Sequence, residues 1–289
     1  MDPRATGPYP YSPIVDRPKL TWPNNAKVAL WVIPNIEFYA LNQRIGPNFA
    51  DPPDVPAFAV RDYGARVGIW RIMDVMSRFG VRGTVALNSD VCDQYPQIIE
   101  KCVALDWELM GHNYANTRRL SVMEPAEERE TVLGTIDRIE RASGRRPAGW
   151  MGAGGQESWN SLDFFVEAGL KYVGEWVADD QPFLMDPIKG RQLVALPYTM
   201  EINDIPIFEY KHHTPQEFEG MVKRQFDVLY REGAESGRVM AIALHPYLIG
   251  LPHRIDSLTA VLEYITGHKD VWLATGEEIT DHYLSQLGG

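Results

Sequence analysis

The 289-residue sequence has few cysteines, no excess of basic residues and no long apolar run. Its two cysteines, Cys92 and Cys102, form no CxxC pair and have no partners for a zinc knuckle, so we expect buried free thiols. The formal net charge of −11 argues against nucleic-acid and anionic-membrane partners, which require a basic surface. No stretch approaches the ~18 consecutive apolar residues of a membrane span. Residues 1–25 contain no apolar run typical of a signal peptide, so a cytoplasmic location is expected.

Apolar, strand-like segments alternate with amphipathic, helix-like segments from residue 27 to the end of the chain. Seven or eight strands separated by helices predict an α/β protein with a parallel sheet and helices outside it. The count favours a distorted (β/α) barrel of about seven parallel strands over an open doubly wound sheet. Neither a GxGxxG nor a GxxxxGK[ST] pattern is present, so nucleotide binding is not favoured.

The domain organisation follows from the absence of any Gly/Ser-rich linker or change in composition. Residues 1–289 are predicted to form a single (β/α)-barrel domain, with residues 1–26, rich in proline and aromatics, as an irregular N-terminal arm. Residues 42–64 are predicted to form a long loop, of a length that is usually functional or peripheral. Ser121 with Glu124, and Thr214 with Glu217, have the spacing of capping boxes and predict the starts of two long helices.

Polar side chains stand where several predicted strands end. In a (β/α) barrel the active site lies at the carboxyl ends of the strands, so these positions are the candidate site. Glu37 follows the first strand, His112 the third and His245 the seventh. Other polar or glycine-rich segments at strand ends are residues 88–90, the stretch GWMGAGGQES from 149 to 158, Glu175 with Trp176, and Asn203 with Asp204.

Each candidate also has a structural interpretation. Glu37 follows an apolar strand, where an unpaired carboxylate is costly to bury, so it either forms a structural ion pair or has a function. His112 and His245 could be core histidines that hydrogen bond to the backbone. Two histidines at separate strand ends favour function for both. Asn203 and Asp204 equally fit an ordinary turn, because Asn-Asp is common turn chemistry.

With these residues in place, the chain resembles the polysaccharide deacetylase superfamily, and within it the branch that includes metal-independent bacterial allantoinases. The likeness extends over nearly the whole chain, through segments such as DYGARVGIWRIMDVMSRFGVRGTVALN, PAGWMGAGGQ, LPYTMEINDIPIF and LHPYLIGLPHR. The resemblance implies a distorted (β/α) barrel. It identifies the branch more specifically than it identifies a substrate.

The resemblance also assigns roles to the residues of the first motif. The superfamily carries two acids there, a general base and a metal ligand, whereas the segment PNIEFY has only Glu37. If Glu37 matches the base, Phe38 stands at the ligand position. If Glu37 matches the ligand, Asn35 stands at the base position.

The remaining motifs match in part. The second motif has two histidine ligands spaced by four residues, and here they are His112 and Asn116. Leu244-His245 matches the late Leu-His motif, whose histidine acts as general acid. The arginine of the motif before the fourth-strand loop is replaced by GWMGAGGQ. Because an amide oxygen is a poor substitute for an imidazole, no cofactor is expected. A weakly held divalent metal on Glu37, His112 and Asn116 is the alternative.

These roles predict a hydrolase acting on a non-peptide C–N bond in a small amide, cyclic ureide or imide. Glu37 would activate water, His112 would orient that water or donate to the oxyanion, and His245 would protonate the leaving nitrogen. The alternatives are a metal-dependent N-deacetylase of a carbohydrate or other N-acetyl compound, and a non-catalytic ligand-binding barrel. The expected partners are a small-molecule substrate and, in a homo-oligomer, further copies of the chain. The predicted substrate-binding residues are Asn35, Asn116, Gly154, Gly155, Asn203 and Asp204.

Overall fold

The computed structural model describes residues 3–46 and 49–287, in which nine strands form one curled, mainly parallel sheet. The strand order is β6-β7-β5-β4-β3-β2-β1-β8, and β9 pairs with β1 beside β2. The predicted α/β class and distorted barrel are therefore confirmed. The strands are β1 Val28–Ile36, β2 Thr84–Leu87, β3 Glu108–Gly111, β4 Gly149–Trp150, β5 Tyr172–Val173, β6 Phe183–Leu184, β7 Val194–Ala195, β8 Arg238–Leu244 and β9 Val271–Leu273.

Helices cover the outside of this sheet, as the alternating sequence pattern predicts. They are α1 Pro3–Thr6, α2 Val55–Tyr63, α3 Ile69–Arg78, α4 Asp90–Gln94, α5 Pro96–Ala104, α6 Pro125–Ser143, α7 Ser161–Glu167, α8 Pro215–Glu232, α9 Ile255–Thr266 and α10 Gly276–Leu287. Short π-helical turns at Gly64–Gly68 and Pro206–Tyr210 precede α3 and α8. None of the helices among the described residues is long and apolar enough to cross a membrane.

Strand β1 pairs with three other strands, and all nine of its residues are buried. Side chains alternate between two faces, so Ala29, Trp31 and Ile33 pack in one core cluster, whereas Val28 and Leu30 pack in another. Burial on both faces explains why the strand reads as a continuous apolar run. Each large side chain buried here contributes about 1.5–3 kcal/mol to folding.

The barrel is incompletely closed between β7 and β8. Strand β6, which the sequence pattern does not predict, runs antiparallel to β7 at this edge. Two backbone contacts cross to β8: the Val239 N–H donates to the Asp180 carbonyl at 2.8 Å, and the Ala243 N–H donates to the Ile202 carbonyl at 3.1 Å. The segment that carries Asn203 and Asp204 is therefore held beside the end of β8.

The prediction of a continuous loop over residues 42–64 is wrong, because its second half contains α2. The Asp54 carboxylate caps this helix by accepting the Ala57 N–H at 3.1 Å, and Pro56 lies in the first turn. Both are ordinary helix-start signals. The helix brings Arg61 towards the carboxyl end of β1, where the candidate site lies.

Of the two predicted capping boxes, one is confirmed and the other is wrong. Thr214 Oγ1 accepts the Glu217 N–H at 3.2 Å, and Glu217 Oε2 accepts the Thr214 N–H at 2.7 Å. Ser121 caps nothing, since it lies in a 3₁₀ turn and contacts Gln156 at 2.6 Å. Helix α6 instead begins at Pro125, whose fixed φ and missing N–H suit a first helical position.

The N-terminal arm is largely irregular beyond its first short helix, but part of it is packed against the barrel. Leu20 and Trp22 are buried, and the Trp22 indole N–H donates to the Arg238 carbonyl at 2.9 Å. The two cysteines are free and buried, as predicted.

Candidate active site

The carboxyl ends of β1, β3 and β8 bring Glu37, His112 and His245 together. Each residue immediately follows its strand, and the strands run parallel, so all three side chains lie at the same end of the barrel. Glu37 Oε1 lies 3.5 Å from His112 Nε2 and 3.8 Å from His245 Nε2. The three side chains are 6%, 3% and 4% exposed. Residues about 75 and 210 positions apart from Glu37 thus converge on one carboxylate oxygen.

Asn88, at the end of β2, holds the chain segments of this cluster together. Its side-chain oxygen accepts the Phe38 N–H at 2.9 Å, and its amide nitrogen donates to the His112 carbonyl. The Asn116 N–H also donates to the Phe38 carbonyl, at 3.1 Å. These contacts set the backbone around Glu37 before any substrate arrives.

The two side chains that the alternative registers of the first motif involve have different surroundings. The Phe38 ring packs against Tyr95 at a centroid distance of 6.2 Å and contributes to the outer core cluster. Asn35, two residues before Glu37, is buried on the inner side and hydrogen bonds to Tyr198 at 3.1 Å. An acid in place of Phe38 would therefore not meet His112.

Tyr39 binds the other oxygen of Glu37, and Asn116 binds Tyr39. The Tyr39 hydroxyl donates to Glu37 Oε2 at 2.6 Å and accepts the Asn116 side-chain amide at 2.7 Å. Burial acts to raise the pKa of Glu37, but the nearby His112 and His245 side chains and the Tyr39 hydroxyl outweigh it, so the pKa lies below its ordinary value. Glu37 is thus an ionised carboxylate with one oxygen free to act.

His112 presents an unoccupied nitrogen to this oxygen. Its Nδ1 contacts the carbonyl of Met151, and because a carbonyl only accepts, that nitrogen carries a proton. In the neutral ring, Nε2 is then an acceptor. It is buried and has no hydrogen-bond partner. In this tautomer His112 Nε2 and Glu37 Oε1 are two acceptors that face each other at 3.5 Å. Such a pair requires a hydrogen-bond donor, such as a water molecule, near both atoms.

His245 is held by Asp204. The carboxylate accepts His245 Nδ1–H at 2.6 Å and the His245 backbone N–H at 2.8 Å. Burial acts to lower the pKa of His245, but the negative charges of Asp204, Glu37 and Glu209 outweigh it and raise the pKa above its ordinary value. The raised pKa favours the protonated imidazole, and His245 Nε2 lies 3.8 Å from Glu37 Oε1.

The predicted substrate-binding residues occupy different places. Asn35 and Asn203 both contact the Tyr198 hydroxyl, at 3.1 and 3.3 Å, in a buried polar cluster behind Glu37. Asp204 is fully buried behind His245, which suits positioning of the imidazole better than contact with substrate. Asn116 lies in the site itself, beside Tyr39, with its side-chain oxygen buried and unpaired.

The glycine-rich stretch lies mainly in a neighbouring cleft. Gly154 and Gly155 have φ angles of +70° and +64°, which other residues adopt at a cost. Gly155 borders an open cleft of about 870 Å³ whose other walls include Glu157 and Trp176. The N–H groups of residues 152, 153 and 155 already bond to Glu175, Asn113 and the Gly152 carbonyl. These three N–H groups are therefore already engaged within the protein.

Sequence reasoning missed Tyr39 and Arg61. Tyr39 could have been found, since residues i and i+2 of an extended segment share a face. The Arg61 guanidinium lies 4.9 Å from the Tyr39 ring centre and 5.1 Å from that of Tyr247. Its Nε is buried without a hydrogen-bond partner, and it borders a small crevice of about 10 Å³ beside Glu37.

The donor set does not fit a tightly bound transition metal. Within the part of the chain that the structure describes, no three His, Cys, Asp or Glu side chains are placed to hold a metal ion. His112 and Asn116 occupy the two histidine positions of the second motif, and His112 Nε2 and the Asn116 side-chain oxygen are unpaired among the described residues. One imidazole, one carboxylate and one amide fall short of the three good ligands that zinc sites use.

Known proteins share this fold and part of the sequence. The family model for polysaccharide deacetylase matches residues 55–173. Residues 55–173 are thus similar to this family. A Schizosaccharomyces pombe protein named for the polysaccharide deacetylases is 26% identical over 297 residues, which cover 92% of each chain. The resemblance inferred from the sequence is therefore confirmed.

Two solved structures extend the similarity to nearly the whole chain. The structure of PuuE allantoinase is 28% identical and superposes with a TM-score of 0.85, covering 96% of this chain and 98% of that one. A Pseudomonas aeruginosa protein named for the polysaccharide deacetylases is also 28% identical, with a TM-score of 0.86, and the match covers 96% and 99% of the two chains. This chain is thus similar both to an allantoinase and to polysaccharide deacetylases.

Proposed function

We propose that this chain hydrolyses a non-peptide C–N bond in a small amide, cyclic ureide or imide. The observation that supports this most is the arrangement of Glu37, His112 and His245 around one carboxylate oxygen. An ionised base and a protonated acid lie on either side of a position where water can sit. Similarity to an allantoinase and to deacetylases agrees with a hydrolase of C–N bonds.

Water activation belongs to Glu37 and His112. A water molecule near Glu37 Oε1 and His112 Nε2 donates one hydrogen to each acceptor, which fixes its lone pair towards the substrate carbonyl. Glu37 takes the proton as the water oxygen attacks the carbonyl carbon. The Tyr39 hydroxyl keeps the second carboxylate oxygen occupied, so the proton goes to Oε1.

His245 completes the reaction. As the C–N bond breaks, His245 Nε2–H gives its proton to the leaving nitrogen. Asp204 stabilises the charged imidazole and orients it. Glu37 then returns the water-derived proton to His245 across the 3.8 Å that separates the two groups. Charge and protons balance over the cycle.

Arg61 is the proposed donor to a substrate oxygen. Its buried Nε has no hydrogen-bond partner among the residues that the structure describes, and the guanidinium borders the crevice beside Glu37. A guanidinium presents several donors in a fixed plane and suits a carbonyl that gains negative charge in the transition state. Cyclic ureides and imides carry such carbonyls, and these are more electrophilic than the carbonyl of a plain acetamide.

The enclosure of the site favours a small substrate over a polymer. The reacting side chains are almost fully buried, and the crevice beside Glu37 has room for about one water molecule. A polysaccharide chain needs an open groove along the reacting group.

We also propose that the reaction needs no tightly bound metal, because the ligand set has only two good donors. The second candidate function is metal-dependent N-deacetylation. The match of residues 55–173 to the family model for polysaccharide deacetylase favours it. In that case Glu37, His112 and Asn116 would be the ligands, and the metal would supply Lewis-acid activation of water and carbonyl.

A substrate panel distinguishes the two functions. Purified protein is assayed with cyclic ureides, cyclic imides, linear amides, N-acetylated sugars and chitin oligomers, each with and without added zinc. Turnover of a ureide or imide without added metal supports the proposal. Turnover confined to N-acetyl compounds and requiring metal supports the deacetylase instead.

A further inference from the structure

The peptide unit between Met151 and Gly152 joins His112 to a buried glutamate. Its carbonyl oxygen accepts His112 Nδ1–H, and its N–H donates to Glu175 Oε1. In a trans peptide these two groups point in opposite directions, so His112 and Glu175 lie at opposite edges of one amide unit. Glu175 has no role in the proposed mechanism, although it follows β5 at the same mouth of the barrel.

The surroundings of the Glu175 carboxylate are energetically unfavourable for one of its oxygens. Its Oε2 is buried without a hydrogen-bond partner. A buried, unpaired carboxylate oxygen is unfavourable, and such groups are retained where they serve a purpose. The N–H groups of Gly152, Gly174 and Glu175 itself face the carboxylate. A methyl group at position 152 would lie 2.7 Å from the Gln156 carbonyl, so the close approach of this peptide requires glycine.

We propose that Glu175 is a positioning residue that acts on His112 through the Met151–Gly152 peptide. A negative charge at the N–H end of an amide polarises it and makes its carbonyl oxygen a stronger acceptor, because hydrogen bonds in a chain reinforce one another. The stronger acceptor holds His112 Nδ1–H and leaves Nε2 richer in electron density. The water-binding nitrogen therefore becomes a better acceptor. Only the expected kinetic effect of this inference rests on the proposed function.

Glu157 provides a matched control in the same cleft. It accepts the Trp176 indole N–H at 3.0 Å, and it is electrostatically close to Glu175. Its carboxylate makes no contact with the Met151–Gly152 peptide in the described hydrogen bonds. Glu157→Gln therefore alters a neighbouring carboxyl group without removing the contact in question.

The test is the NMR resonance of His112 Nδ1–H in protein labelled with ¹⁵N-histidine, assigned by its loss in His112→Ala. Spectra are recorded above the pKa of Glu175, which burial raises to about 7, so that the carboxylate is ionised. Glu175→Gln is expected to move the resonance upfield, as a weaker hydrogen bond does. Glu157→Gln should leave it in place. Glu175→Asp, which shortens the side chain, serves as a second variant and should act like Glu175→Gln.

The kinetic counterpart uses the substrate found by the panel. Glu175→Gln should lower kcat on the order of 10-fold with KM little changed, at the low end of what removing an outer support of a reacting histidine costs. An unmoved resonance in folded Glu175→Gln and Glu175→Asp overturns the inference, as does an equal shift in Glu157→Gln. The NMR result does not depend on activity, so an inactive protein with the expected shift would count against the proposed function alone.

Discussion

Single side chains carry most of the chemistry of this protein. Glu37 is the one acid of its motif, and its two oxygens have separate partners: Tyr39 binds Oε2, while Oε1 faces the two histidines. Asn116 stands at the position of the second histidine of the deacetylase motif, and its side-chain amide donates to the Tyr39 hydroxyl. Asn116 thus supports Tyr39, which in turn binds the proposed base.

The first prediction concerns Glu37→Gln. The amide keeps the shape of the side chain but cannot accept a proton from water, so turnover should fall by ~10²–10⁴-fold while the fold is retained. Turnover and circular dichroism are measured together. The control is Glu235→Gln, an exposed position after α8, which should behave like the unmodified protein. Near-normal turnover in Glu37→Gln would refute its role as base.

The second prediction separates acid catalysis from packing at His245. His245→Ala should slow substrates with poor leaving nitrogens far more than activated ones, because only the former need a proton during bond cleavage. Rates are compared across a leaving-group series. His253→Ala, at an exposed site, is the matched control. An equal loss across the series would show that His245 only binds or packs.

The third prediction is the pH dependence of kcat/KM. Glu37 must be ionised, and its pKa is lowered, so the acidic limb should lie below the ordinary value of 4.5. His245 must be protonated, and its pKa is raised, so the alkaline limb should lie above 6.5. Asp204→Asn removes the nearest charge that raises this pKa, which should move the alkaline limb to lower pH. A limb that stays in place in folded Asp204→Asn contradicts the assignment.

At the scale of elements, strand ends and helix starts decide what each segment contributes. Strand β1 delivers Glu37 to the mouth of the barrel because its nine residues are buried and paired with three neighbouring strands. Helix α2 delivers Arg61, because Asp54 and a proline start a helix inside a segment that reads as a loop. Helix starts are decided by local hydrogen bonds, and these can be tested singly.

The fourth prediction compares the two capping-box sequences. Thr214→Ala removes an observed cap and should lower the free energy of unfolding by about 1 kcal/mol. Ser121→Ala removes no cap and should change it by less than about 0.5 kcal/mol, as for most surface substitutions. Both are measured by urea denaturation. Equal losses would mean that Ser121 supports α6 after all.

At the scale of the whole molecule, the curled sheet decides which residues meet. The barrel brings together the ends of β1, β3 and β8, while the incompletely closed edge places Asp204 behind His245. The same curvature separates the Glu37 site from the cleft lined by Glu157 and Trp176. Two sets of strand-end residues that look equivalent in sequence therefore have different surroundings.

The fifth prediction concerns the metal content of the protein. Activity should survive prolonged chelation, and elemental analysis should find far less than one transition metal per chain, because two good ligands hold an ion weakly. Asn116→His should raise zinc affinity by restoring the second imidazole. Adding Phe38→Asp should raise it no further, since that side chain faces Tyr95. Stoichiometric metal whose removal abolishes activity, and whose return restores it, would overturn the prediction.

The order of strands and helices, the α/β class and the positions of Glu37, His112 and His245 at strand ends can all be read from the sequence. They depend on local periodicity and on the rule that parallel strands end together. Three features cannot be read from the sequence. They are the packing of Phe38 beside Glu37, the hydrogen bond from Asn116 to Tyr39 and the approach of Arg61 to the site. They depend on which face of β1 turns inward and on how far the sheet curls. Only the packed tertiary structure determines these features, since each contact joins segments far apart in the chain.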